Sequence, residues 1–217
     1  PGLSHWKHVK RILAYVKGTA DSRIELGGKD LNLNGYSDSD YAGDRDERKS
    51  TSGFIFFIGK SPISWKSQKQ PIVALSSAEA EYVGLSNACK EALWLDRLLR
   101  ELTPHYYRPL LNQGPVTIYG DNQSAINIAR NPILHKRTKH IDTRYHFIRD
   151  HIQRGTIEVR WISTKDMLAD YLTKPLGILK FKEQMEVIMK AKKRIPEHTD
   201  VNIYEDELMN ERNGYKE

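Results

Sequence analysis

Cysteine is almost missing from this sequence. Cys89 is the only one, so no disulfide can form within the chain and no cysteine-based zinc motif can be assembled. A reducing compartment is the simpler expectation. Long apolar runs are missing as well: none approaches the roughly 20 residues that a membrane-spanning helix needs. The opening PGLSHWKHVKR lacks the apolar core of a secretory signal. These absences lead to the expectation of a soluble, cytoplasmic protein with no membrane partner. No internal repeat is evident.

What is present supports one substantial core. With 217 residues and 39% apolar content, one domain plus extensions is the natural prior. The formal charge of +6 leans toward a polyanionic partner, but only weakly. Its distribution says more. Positive charge gathers at Lys7, Lys10, Arg11 and Lys17 and again at Lys136, Arg137 and Lys139, while the end holds Glu205, Asp206, Glu207 and Glu211.

Trp6, Val9, Ile12, Leu13 and Val16 follow Ser4 at helical spacing, with Gly18 as a stop, so residues 1–20 read as a basic amphipathic helix. Residues 21–33 are rich in Gly, Asn and Asp and read as a linker. LNLNGYSD, GFIFFIG and PISWKS then read as three short strands, antiparallel because they follow one another so closely. From Tyr82 to Leu102 apolar residues recur at three- and four-residue steps, a long helix that ends at Thr103-Pro104. VTIYG reads as a strand and QSAINIAR as a helix. Ile141 to Ile152 mark another helix closed by Gly155, TIEVRWI reads as a half-buried strand, and KDMLADYLT as a last short helix before Pro175. The order βββαβααβα predicts a mixed sheet covered by helices over residues 34–177. One further helix and an acidic, disordered tail are expected over 178–217.

Four carboxylates fall where strand ends and helix starts can bring them together: Asp38 in YSDSD, Glu81 early in the long helix, Asp121 in YGDN, and Asp170 on the last helix. Crowded carboxylates repel one another and call for a cation, and hard oxygen ligands suit Mg²⁺. Two such ions about 3.5–4 Å apart can activate a water on one side of a phosphodiester and stabilise the leaving oxygen on the other. Each residue also has a plainer reading. An Asp at a strand end is often a turn former or helix cap. Glu79 competes with Glu81, but Ser76-Ser77-Ala78-Glu79 has capping-box spacing, which gives Glu79 a structural task. Asp166 sits one turn before Asp170 and stays open as a helper.

The runs YSDSDYAGDRDERKSTSGFIFFIG, ISWKSQKQPIVALSSAEAEYVGL, IYGDNQSAI, NPILHKRTKHIDTRYHFIRD and ADYLTKPL, in order over about residues 34–177, resemble the ribonuclease H domain of copia-type LTR retrotransposon polyproteins. The opening HWKHVKRILAYVKGT is similar to the end of the reverse transcriptase region that precedes it. The resemblance implies an α/β, ribonuclease H-like fold with a five-stranded mixed sheet, three antiparallel strands then two parallel, flanked by helices. It also implies a two-metal site, with Asp38, Glu81, Asp121 and Asp170 as catalytic residues and ligands of two Mg²⁺ ions that Mn²⁺ can replace. The implied activity is endonucleolytic hydrolysis of the RNA strand of RNA–DNA hybrids, with the hybrid and the reverse transcriptase domain of the same polyprotein as partners. Virus-like particles and the nucleus become further places where such a chain would act. One departure is that WISTKDMLAD passes from strand to helix without the histidine-bearing loop of many ribonucleases H.

His135, Lys136, Arg137, Lys139, His140 and Arg144 lie in one short stretch. Such residues bind phosphates with salt-dependent affinity and little sequence information; a solvated helix face is the plain alternative. Hybrid binding is expected from Asn122, Lys136, Arg137, Lys139 and His140, with Asn122, Ser50 or Ser52 as readers of the 2′-OH. Zinc is disfavoured, because His146 and His151 diverge on a helix and no cysteine assists. Trp65 and Trp161, in strand patterns, are expected in the core, and Trp6 and Trp94 in core or interface. The competing function is a catalytically idle module that positions the hybrid for a neighbouring reverse transcriptase; an integrase or DNA exonuclease on the same fold is a third class.

Overall fold

The computed structural model describes residues 2–103, 105, 111, 114–130 and 142–191, with the side chains of 142–146 and 190–191 excepted. Helix α1 (Leu3–Gly18) forms where its periodicity predicts, with Gly2 rather than Ser4 at the N-cap. It belongs to a unit separate from residues Ile24–Lys190, and Trp6 on it is exposed.

Five strands, β1 (Leu33–Ser39), β2 (Thr51–Ile58), β3 (Ser61–Lys69), β4 (Val116–Gly120) and β5 (Ile157–Trp161), form one sheet in the order β3-β2-β1-β4-β5. The first three pair antiparallel, and β1–β4 and β4–β5 pair parallel. This is the mixed sheet expected. The crossovers are α2 (Ser77–Leu102), then α3 (Gln123–Arg130) and α4 (Asp142–Gln153); α5 (Ile178–Ile188) follows β5. The compact unit Ile24–Lys190 includes α5.

The unbroken apolar run GFIFFIG is explained by burial on both faces. Phe54 and Phe56 point to the larger core with Tyr82, Leu85, Cys89 and Leu95 of α2 and Ile118 and Val159 of the parallel strands. Ile55 and Phe57 point the other way, into a small cluster with Ile188 of α5, flanked by Leu168 and Leu172. Burying one such side chain contributes about 1.5–3 kcal/mol. At the edge, β3 is covered only in its first half, and charged Lys66 and Lys69 mark the outer part, as edge strands require.

Two expectations need correction. The segment KDMLADYLT is not an α-helix: it is a series of turns ending in one 3₁₀ turn, Asp170–Leu172, with Leu172 N–H bonding the Ala169 carbonyl at 3.0 Å and Thr173 N–H the Asp170 carbonyl at 3.1 Å. Met167, Ala169 and Asp170 are all fully buried. Trp65 and Trp161 are not core residues but are 51% and 56% exposed. Trp65 lies on the uncovered half of the edge strand, and Trp161 is the last residue of β5. Trp94 is exposed on α2.

Candidate metal centre

Register alone brings two carboxylates together. Tyr36 of β1 is paired with Tyr119 of the parallel neighbour β4, and Asp38 and Asp121 each lie two residues further on. Their strands therefore end at the same edge. Glu81 comes from the first turns of α2, whose start is fixed as its sequence predicts. Ser76 Oγ accepts the Glu79 N–H at 3.2 Å, while Glu79 Oε2 accepts the Leu75 N–H at 2.9 Å. Glu79 is thus occupied with the helix start. One oxygen each of Asp38, Glu81 and Asp121 lies within 4.8 Å of the others.

A glycine lets α2 come this close. A Cβ on Gly84 would stand 2.3 Å from Ser39 Oγ and 3.3 Å from the Asp38 carbonyl oxygen, so only hydrogen fits between helix and strand at that point. Beneath it lies a buried polar network. Gln70 Nε2 donates to Ser52 Oγ at 2.7 Å and to the Ala80 carbonyl at 2.8 Å, and Ser39 Oγ donates to Ser52 Oγ at 3.1 Å. Ser50 is fully buried, its hydroxyl accepting from Ala42 N–H. Ser50 and Ser52 are structural and cannot read a 2′-OH, because their hydroxyls are buried and used internally.

On the other face, Gly53, the cross-strand partner of Asp38, makes room for the Asp170 turn. A Cβ there would lie 2.7 Å from Leu172 Cβ and 2.9 Å from Thr173 Cγ2. Thr173 Oγ1 consequently reaches Asp38 Oδ2 and donates to it. Asp170, with no exposed surface, lies next to Asp38 but outside the trio. Lys174 Nζ is 2.7 Å from Asp170 Oδ1 and 3.6 Å from Asp38 Oδ2, and Lys180 Nζ of α5 pairs with Asp170 Oδ2. The fourth carboxylate is thus neutralised by two ammonium groups. Asp166 is exposed in a turn and outside the trio.

Asp121 is braced from the segment after β5. Thr164 Oγ1 donates to Asp121 Oδ2 at 2.8 Å, and the exposed Trp161 donates its indole N–H to the Asp121 carbonyl at 3.2 Å. Asn122 caps α3, its Oδ1 accepting the Ala125 N–H at 3.0 Å, and lines a small cleft beside Glu81 with Ser37 and Gly120. Lys136, Arg137, Lys139 and His140, with His135, lie outside the described residues, as does the tail beyond residue 191. Sequence pattern alone does not mark Thr164, Thr173 or Lys180 as site residues. Only Lys174 carried a signal, at the i+4 position from Asp170.

The electrostatics show a site short of positive charge. Burial raises the Asp38 carboxyl above its ordinary range, Asp170 and Asp121 add to this, and the Thr173 hydroxyl and Lys174 only partly oppose it. Burial, then Asp38 and Asp121, raise Glu81 well above the ordinary glutamate value. Burial works against the charge on Lys174, but Asp170, Asp38 and Asp121 outweigh it and raise its ammonium. An all-oxygen donor set of converging, charge-starved carboxylates fits a hard divalent cation such as Mg²⁺. The donors present therefore suit the implied metal.

The strand order and strand directions are those of the ribonuclease H-like fold that the sequence motifs implied. No protein-family model matches the chain. The retrovirus-related Pol polyprotein from transposon TNT 1-94 of Nicotiana tabacum is 44% identical over 188 residues, covering 87% of this chain and 14% of that protein. The corresponding polyprotein from transposon RE1 of Arabidopsis thaliana is 47% identical over 178 residues, covering 82% of this chain and 12% of that protein. Its homologues are retrovirus-related Pol polyproteins from plant copia-type transposons, and the chain spans only about one-seventh of the length of the two named here. Among solved structures, LC11-RNase H1, isolated from compost by a metagenomic approach, is 14% identical with a TM-score of 0.48, covering 66% of this chain and 93% of that one.

Proposed function

We propose that this segment is a divalent-cation-dependent ribonuclease H, which hydrolyses the RNA strand of RNA–DNA hybrids beside the reverse transcriptase domain of the same polyprotein. The observation that carries the reading is the convergence of Asp38, Glu81 and Asp121 within 4.8 Å, in a chain related to retrovirus-related Pol polyproteins. Asp38, Glu81 and Asp121 would hold the cation, Mg²⁺ with Mn²⁺ as a substitute, and Asp170, whose two oxygens face Lys174 and Lys180, would join them as the fourth ligand by giving up one of these ammonium partners. Bound there, two ions supply an activated water on one side of the scissile phosphodiester and charge stabilisation of the leaving oxygen on the other.

The protein's own residues prepare this site. Thr173 orients the Asp38 carboxylate by donating to it, and Thr164 does the same for Asp121. Lys174 keeps positive charge between Asp38 and Asp170. Asn122, beside Glu81, would touch the RNA sugar. Lys136, Arg137, Lys139 and His140 would bind phosphates of the hybrid, giving affinity that falls with salt.

The test is to offer the purified chain RNA–DNA hybrid, duplex DNA and duplex RNA, with Mg²⁺, with Mn²⁺ and with chelator. Cleavage confined to the RNA of the hybrid, dependent on the cation and lost in a folded Asp38→Asn variant, supports the reading. Hybrid binding without cleavage at any cation concentration favours the idle module instead, and cleavage of duplex DNA points to another enzyme of the class.

A further inference from the structure

The segment between β5 and α5 carries Thr164, which holds Asp121, and Asp170 and Thr173, which meet Asp38. Yet it contains no regular element beyond one 3₁₀ turn. Such a segment is held by side-chain contacts rather than by a hydrogen-bonded ladder, and α5 supplies several of them. Lys180 Nζ, from the first turn of α5, pairs with Asp170 Oδ2 and donates to the Thr164 carbonyl at 2.8 Å. One turn on, the buried Gln184 donates from Nε2 to the Met167 carbonyl at 2.7 Å. At the far end, Ile188 closes the apolar cluster with Ile55 and Phe57.

We propose that α5 is a working part of the site and that Lys180 is a positioning residue, fixing Asp170 and the Thr164 backbone at one point and so acting on Asp38 and Asp121 from behind. Lys180 touches two parts of the segment at once, which a surface ion pair of this exposure would not need to do. Losing an outer partner of a metal ligand typically costs about 10–100-fold in activity or metal affinity. The inference rests on the ribonuclease reading only for its kinetic consequence.

The experiment compares the whole chain with Lys180→Met, Lys180→Arg and, as an independent lesion of the same helix, Gln184→Met. Backbone hydrogen exchange is measured in the metal-free proteins, and kcat and KM on a hybrid with Mg²⁺. Lys180→Met and Gln184→Met are expected to speed exchange across residues 163–173 while leaving β1, β2 and α2 unchanged. Lys180→Met lowers kcat about tenfold or more with KM for the hybrid nearly constant, and Lys180→Arg restores most of both. Unchanged exchange in Lys180→Met overturns the proposal, as does tighter Mn²⁺ binding with unchanged exchange, which would mark Lys180 as a mere charge competitor. Because exchange needs no catalysis, an inactive wild type would sink the ribonuclease reading while the role of α5 is still decided.

Discussion

Asp38, Glu81 and Asp121 are placed by regular structure, whereas Asp170 is placed by contacts. The first three sit at the ends of two paired parallel strands and in the first turns of a 26-residue helix, so their separation is set by backbone hydrogen bonds that share the stability of the sheet. Asp170 rides on an irregular segment whose position depends on Gly53 on one side and on Lys180 and Gln184 on the other. Elements with fewer ladder bonds open at lower free energy. The contrast teaches that one half of the site is a fixed cation receptacle and the other an adjustable arm.

The largest effect expected from this division is on the fixed half. Asp121→Asn should reduce hybrid cleavage by more than the roughly 10–100-fold that loss of an outer partner costs, with far-ultraviolet circular dichroism unchanged. Residual activity within tenfold of wild type would remove Asp121 from the site.

The two glycines sharpen the comparison. Gly84→Val drives a side chain between α2 and β1, where Ser39 is locked in a buried network. Denaturant unfolding should show a loss of about 1–3 kcal/mol, as overpacking does, together with weakened activity. Gly53→Ala meets Leu172 and Thr173 instead, and the irregular segment can yield. Its activity should fall about as much while its stability falls less. Equal stability losses would break the distinction between fixed and adjustable halves.

A third test uses charge. Burial and its neighbours raise Glu81 well above the ordinary glutamate range, so ionising it is harder in the folded chain than in the unfolded one. Without metal the folded state therefore keeps its full stability only below the unfolded glutamate value, about 4.3, and loses stability as pH rises through the folded value. Glu81→Gln escapes this cost. In chelator it should melt above wild type at pH 8, where about 1 kcal/mol moves Tm by about 2–4 °C, and the advantage should vanish near pH 4. Saturating Mg²⁺ should reverse the order, since only the wild type gains from binding. A Glu81→Gln melting temperature below wild type in chelator at pH 8 would contradict the charge-starved picture.

The smallest effect belongs to Thr173→Val. The hydroxyl lowers the Asp38 carboxyl against the effect of burial, so its loss should move the acidic limb of the pH–rate profile upward and cost about 1 kcal/mol of stability, the worth of one hydrogen bond. An unmoved limb would mean that the hydroxyl does not govern Asp38.

Much of this was legible in the sequence because regular elements announce themselves. The apolar spacing from Tyr82 to Leu102, the S-x-x-E box at Ser76, and the strands GFIFFIG and VTIYG each appear where their patterns put them. Asp38, Glu81 and Asp121 could be found because each is tied to the end or start of such an element. Asp170 could be named but not placed. Its segment carries helical composition, yet it folds as turns and one 3₁₀ turn in which Met167, Ala169 and Asp170 are all buried. Lys180 left no mark, because nothing in ILKFKEQMEVI distinguishes an inward lysine from solvated ones. Trp65 and Trp161 misled for the opposite reason: strand alternation gives the face of a residue but not where the covering helices stop.

The central claim is that Asp38, Glu81 and Asp121 together form a cation site. The most direct measurement is a calorimetric titration of Mn²⁺ into the metal-free chain and into its Asp121→Asn variant. The account predicts saturable binding by the wild type that Asp121→Asn abolishes or weakens at least tenfold, as removal of a direct ligand must. Equal affinities in the two proteins, or no binding by the wild type, would contradict it.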